Sequence, residues 1–126
     1  GHLRDDGLLT IANAGHCPPM IARGNGMIEE IGSTGPVAGL LKTARWTSVT
    51  RRLAPGTTVL LYSDGLLEAR SPSGQEFGRD GIAGAFRRGA IEEPTARGMA
   101  DRVLSSARTH APTFDDDTTV LALRVT

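Results

Sequence analysis

The chain has 126 residues, with fourteen Lys plus Arg balanced by fourteen Asp plus Glu. Zero net charge argues against a surface built to grip nucleic acid or an anionic membrane, since both need clustered positive charge. Hydrophobic residues reach 39% with one cysteine, no apolar run near the ~20 residues of a membrane span and no basic-then-apolar leader, which predicts one cytoplasmic, disulfide-free domain, or part of one, over residues 1–126.

In chain order, Asp5-Asp6-Gly7 reads as a hairpin turn leading into a short β-forming run, Leu8 to Ala12, closed by Asn13-Ala14-Gly15. Met20–Arg23 and Met27–Ile31 flank Gly24-Asn25-Gly26, which predicts a second hairpin. Ser33–Gly39 has loop chemistry. Trp46–Leu53 alternates imperfectly, and Ala54-Pro55-Gly56 predicts a turn that pairs it with Thr57–Tyr62. The latter run is nearly continuous in β-formers and is expected to be buried on both faces. Helical spacing follows over Arg79–Arg88, although Gly81 and Gly84 weaken it. After Pro94, the residues Met99, Val103, Leu104 and Ala107 form one apolar helical stripe, and Thr118–Val125 reads as a final strand. Leu60 or its neighbours are expected to pack on that stripe. Strands, then helices, then a strand indicate an α+β fold with antiparallel pairing.

Chemistry concentrates in two acidic motifs. Ser63-Asp64-Gly65 sits where the buried strand ends, and Asp115-Asp116-Asp117 sits just before the last strand. Each alone reads as a solvated turn. Together they mean more, because the end of one antiparallel strand lies beside the start of its neighbour. If the strands holding Leu61 and Leu121 pair, Asp64 and Asp116 come to one sheet edge and offer the oxygen ligands that Mg²⁺ or Mn²⁺ prefers. Alternation along the strand favours Asp116 over Asp115 and Asp117. His16-Cys17 invites a zinc reading, but His2 and His110 lack ligand spacing, so His16 is read as a turn residue and Cys17 as a small, partly buried side chain.

The stretches Leu9–Pro19, Gly35–Leu41, Leu53–Arg70, Gly74–Gly78 and Asp116–Arg124, in this order and spacing, resemble the C-terminal part of bacterial PPM-family protein phosphatases of the stage II sporulation protein E type. The resemblance implies a sandwich of two antiparallel sheets flanked by helices. It also implies hydrolysis of phosphoserine or phosphothreonine by water held between two Mn²⁺ or Mg²⁺ ions. Asp64 falls on the family's strand-end metal ligand and Asp116 on the first Asp of its late Asp-Asp-x-Thr motif, with Thr119 closing that motif. The implied partner is a phosphorylated regulatory protein of the anti-sigma-factor antagonist type. The family also carries an upstream Asp-Gly metal motif and further first strands and helices, for which this chain has no counterpart. The alternative is therefore a non-catalytic regulatory or scaffold module with an incomplete metal centre, and exposed sheet edges would favour self-association. A haloacid-dehalogenase reading fails because Tyr62 stands where that chemistry needs a second Asp.

Overall fold

The computed structural model describes residues 1–126. Seven strands and three helices follow one another as β1 (His2–Leu3), β2 (Leu8–Ile11), β3 (Met20–Ala22), β4 (Ile28–Glu30), β5 (Val49–Arg52), β6 (Thr58–Tyr62), α1 (Asp64–Leu67), α2 (Gly78–Glu92), α3 (Ala96–His110) and β7 (Val120–Arg124). They build two antiparallel sheets, β1-β2-β5 and β4-β3-β6-β7. The two hairpins read from Asp5-Asp6-Gly7 and Gly24-Asn25-Gly26 form as β1–β2 and β3–β4, and Gly7 and Gly26 take the positive φ their turns need.

The period-2 geometry of β3 and β6 divides the core. Met20, Ala22, Leu60 and Tyr62 face the helices and pack with Ile82, Phe86, Met99, Val103 and Ala107. Ile21 and Val59 face the other way, onto Leu9, Ile11 and Leu53 of the three-stranded sheet. The expected burial of both faces of β6 and the packing of Leu60 on the Val103 stripe are both observed. α2 and α3 lie close because Gly89 lets Met99 in: a Cβ there would come 2.6 Å from the Met99 sulfur. Thr95 caps α3 by accepting the Gly98 amide at 3.0 Å.

One expected pairing does not form. β5 and β6 are not a hairpin: β5 pairs with β2, whereas β6 lies between β3 and β7. The turn at Pro55-Gly56 carries the chain from one sheet to the other, with the Thr57 amide donating to Ala54 O at 3.0 Å and Gly56 to Val125 O at 2.8 Å. Burial explains the split. β5 alternates between half-buried and exposed residues and suits a one-sided sheet, while β6 is apolar on both faces and belongs between the two cores.

Candidate metal centre

The site is built where β6 ends beside the entry to β7. Leu61 pairs with Leu121 and Tyr62 with Val120, and the pairing continues past the named strands. The Ser63 amide donates to Thr119 O at 3.0 Å. The Ser63 hydroxyl accepts the Thr119 amide at 2.9 Å and donates to Asp117 O at 3.1 Å. Ser63 thus ties the Asp115–Asp117 turn to the end of β6. Its role escaped the sequence reading, because the partners are more than fifty residues away and only the general habit of Ser bonding backbone at turns hinted at it.

Asp64 follows as the first residue of α1, where the helix's positive end favours a carboxylate. The next residue brings the two acidic segments into direct backbone contact. A Cβ on Gly65 would lie 2.5 Å from Asp117 O and 3.1 Å from Asp116 O. The Gly65 amide donates to Asp64 Oδ1 at 3.0 Å, and the Asp117 amide donates to Asp116 Oδ1 at 2.7 Å. Each carboxylate is therefore steadied by the following amide and keeps its other oxygen free of protein donors.

Asp64, Asp115, Asp116 and Asp117 are all exposed, and no Lys, Arg or His side chain forms an ion pair with any of them. Carboxylates gathered without a protein counter-charge repel one another unless water or a cation offsets them. An all-oxygen donor set of this kind suits a hard divalent ion that keeps part of its hydration shell. No three His, Cys, Asp or Glu side chains are grouped closely enough to enclose a metal ion. The backbone contact at Gly65 brings Asp64 and the Asp116–Asp117 segment to the same end of β6.

A shallow cleft beside these residues is lined by His16, Leu61, Tyr62, Ser63, Thr119 and Leu121. Asn13, almost fully buried, holds the backbone of His16, which lines the cleft. The Asn13 side chain accepts the His16 amide at 2.8 Å and donates to His16 O at 3.1 Å, which fixes the turn before Pro18. His16 is a turn residue as expected, its Nδ1 lying 3.0 Å from Cys17 O. His110 is elsewhere, tilted at 47° against Phe77 with ring centroids 5.5 Å apart, so it does not join His16. Burial and then the charge of Asp64 push the Cys17 thiol up from its ordinary value. Burial, reinforced by the charges of Cys17 and Glu30, pushes Tyr62 up to about 12, and its buried hydroxyl has no hydrogen-bond partner.

The stage II sporulation protein E (SpoIIE) family profile matches residues 3–126. Protein IcfG of Synechocystis sp. is 36% identical over 74 residues, covering 59% of this chain and 12% of IcfG. The crystal structure of the RsbU and RsbW domains of Rv1364c from Mycobacterium tuberculosis superposes with a TM-score of 0.76 at 24% identity, covering 95% of this chain and 33% of that one. The PP2C phosphatase domain of the Bacillus subtilis cell fate determinant SpoIIE, solved with a fragment of its regulatory domain, gives a TM-score of 0.76 at 21% identity over 95% of this chain and 34% of that one. The chain spans about a third of the length of these solved relatives.

Proposed function

The chain belongs to the SpoIIE family, and from that premise we propose that it carries the Asp64/Asp116 part of a metal-dependent phosphatase acting on phosphoserine or phosphothreonine of a regulatory protein. The observation that carries this reading is the junction of Ser63-Asp64-Gly65 with Asp116-Asp117, which joins two acidic segments from distant parts of the chain through backbone contact. Asp64 and Asp116 are the residues that hold the divalent ion, Mn²⁺ or Mg²⁺. When bound, such an ion supplies an activated water and offsets phosphate charge. The chain's own residues do the rest of the positioning. Ser63 holds the Asp116–Asp117 backbone in place, the Gly65 and Asp117 amides orient the two carboxylates, and the His16–Thr119 cleft receives the residue that bears the phosphate. The phosphorylated partner is of the anti-sigma-factor antagonist type, and the site works in the cytoplasm. The relatives named RsbU and SpoIIE support a protein partner, without fixing its type.

A second reading is favoured by one observation: no third carboxylate closes the ligand set. In that reading the chain is a regulatory or scaffold module that keeps the fold without turnover. The discriminating experiment measures Mn²⁺-dependent phosphate release from a phosphoserine protein, by the 126-residue chain and by a longer form that includes an upstream Asp-Gly motif. Little turnover by the chain and clear turnover by the longer form are expected. No turnover by either, with the fold intact, overturns the phosphatase reading in favour of the scaffold. Robust turnover by the chain alone requires another carboxylate to complete the site, with Asp5 or Asp6 the first to test.

A further inference from the structure

We propose that the loop between β4 and β5 is a docking surface for an acidic, apolar patch beside the phosphorylated residue of a partner protein, an inference that rests on the phosphatase reading for its partner class. Four of the molecule's exposed large hydrophobic side chains lie in this one loop: Val37, Leu40, Leu41 and Trp46, with Leu40 70% exposed. Isolated exposed apolar residues are ordinary, but several gathered on one segment mark an interaction site.

The loop is held in shape rather than loose. At its base Thr34 exchanges hydrogen bonds with Asn13, the Thr34 amide donating to Asn13 O at 2.8 Å and the Asn13 amide to Thr34 Oγ1 at 2.9 Å. Its two limbs are joined where the Thr47 amide donates to Thr34 O at 3.1 Å and Trp46 Nε1 donates to Pro36 O at 2.7 Å. Gly35 allows that closure, since a Cβ there would lie 2.7 Å from the Trp46 ring. Leu40 and Leu41 are thus presented on an ordered turn, which lowers the entropic cost of binding.

Charge selects the occupant. No Asp or Glu occurs from Ile31 to Ser63. Lys42 and Arg45 are exposed and take part in none of the molecule's ion pairs. The surface is therefore apolar and positive, complementary to a patch of Leu or Phe among acidic residues. It is also continuous with the candidate site. The Ala38 amide donates to Ala14 O at 3.2 Å, Val37 packs against Gly15, and the next residue, His16, lines the cleft beside Ser63 and Thr119. A phosphoprotein seated on the loop meets positive charge next to a centre whose own carboxylates repel its phosphate.

Trp46 is the chain's one tryptophan and reports directly on the loop. The experiment titrates the 126-residue chain, in EDTA, with two synthetic phosphoserine peptides while following Trp46 emission. One peptide flanks the phosphoserine with Leu, Asp and Glu, and the other with Ser and Lys. Saturable binding of the first is expected, with affinity at least about tenfold above the second. The exposed double variants Leu40→Ser/Leu41→Ser and Lys42→Glu/Arg45→Glu should each lose about tenfold for the first peptide while keeping the wild-type melting temperature. No binding, equal binding of the two peptides, or variants that bind like wild type would overturn the proposal. Because these titrations need no metal, they separate the two readings. Selective docking without Mn²⁺-dependent turnover by any form of the protein removes the phosphatase and leaves the docking surface. Turnover indifferent to flanking residues and to the loop variants removes the docking surface alone.

Discussion

Gly65 is the residue on which the geometry of the centre turns. No side chain can occupy the space between α1 and the Asp116–Asp117 backbone, because the nearest carbonyl oxygen would be 2.5 Å away. Gly65→Ala must therefore push Asp64 away from Asp116 or move the turn that carries Asp116. We expect a stability loss of about 1–3 kcal/mol by urea denaturation, together with loss of Mn²⁺ binding. Tyr62 behaves differently. Its buried hydroxyl has no partner, so Tyr62→Phe removes an unsatisfied group and should stabilise the fold by about 1 kcal/mol. The same residue sets an alkaline limit. The folded phenol stays protonated until about 12 while the unfolded one ionises from its ordinary value of 10.0, so its contribution is complete below that lower value and is lost as pH rises towards the upper one. Denaturation curves recorded across that window should show a fall in stability that Tyr62→Phe makes shallower.

At the level of elements, β6 organises the molecule, since its alternate residues enter both cores. Leu60 is fully buried against the helices, and Leu60→Ala should cost about 2–5 kcal/mol, read from chemical denaturation. A loss well below ~1 kcal/mol would show that the strand is not central. This strand was legible in the sequence because a two-sided strand is a continuous β-forming run. Its pairing with β7 was raised there and forms, but its pairing with β3 was not. Adjacency along the chain made β5 the obvious neighbour, yet the choice was decided by which faces each strand had to bury. α1 was missed because four residues are too few to show a helical period. Gly81 and Gly84 weakened a helix that forms nonetheless, its stability coming from buried Ile82, Ala85 and Phe86 rather than from propensity. In the candidate site, the place of Asp64 just after β6 could be read directly, whereas Asp116 lies in the turn before β7, which begins only at Val120. The tie through Ser63 could not, because it depends on which backbone the fold brings to it.

For the whole molecule, two of the four edge strands, β1 and β7, flank an apolar cleft lined by Leu3, Leu61, Leu121 and Leu123. An unpaired edge beside exposed leucines is a template for pairing with another chain. Sedimentation should reveal concentration-dependent self-association, and the exposed change Leu121→Lys should weaken it. The centre where β6 ends beside the entry to β7 decides whether the chain binds metal. With two carboxylates and no third side chain to enclose the ion, binding should be weak, with most of the ion's shell left as water. The most direct test is a calorimetric titration of Mn²⁺ into the wild-type chain and its Asp64→Asn, Asp116→Asn and Asp115→Asn variants. Weak binding is expected, lost with either of the first two changes and kept with Asp115→Asn. Binding that survives both Asp64→Asn and Asp116→Asn, or that depends on Asp115 instead of Asp116, would contradict that expectation.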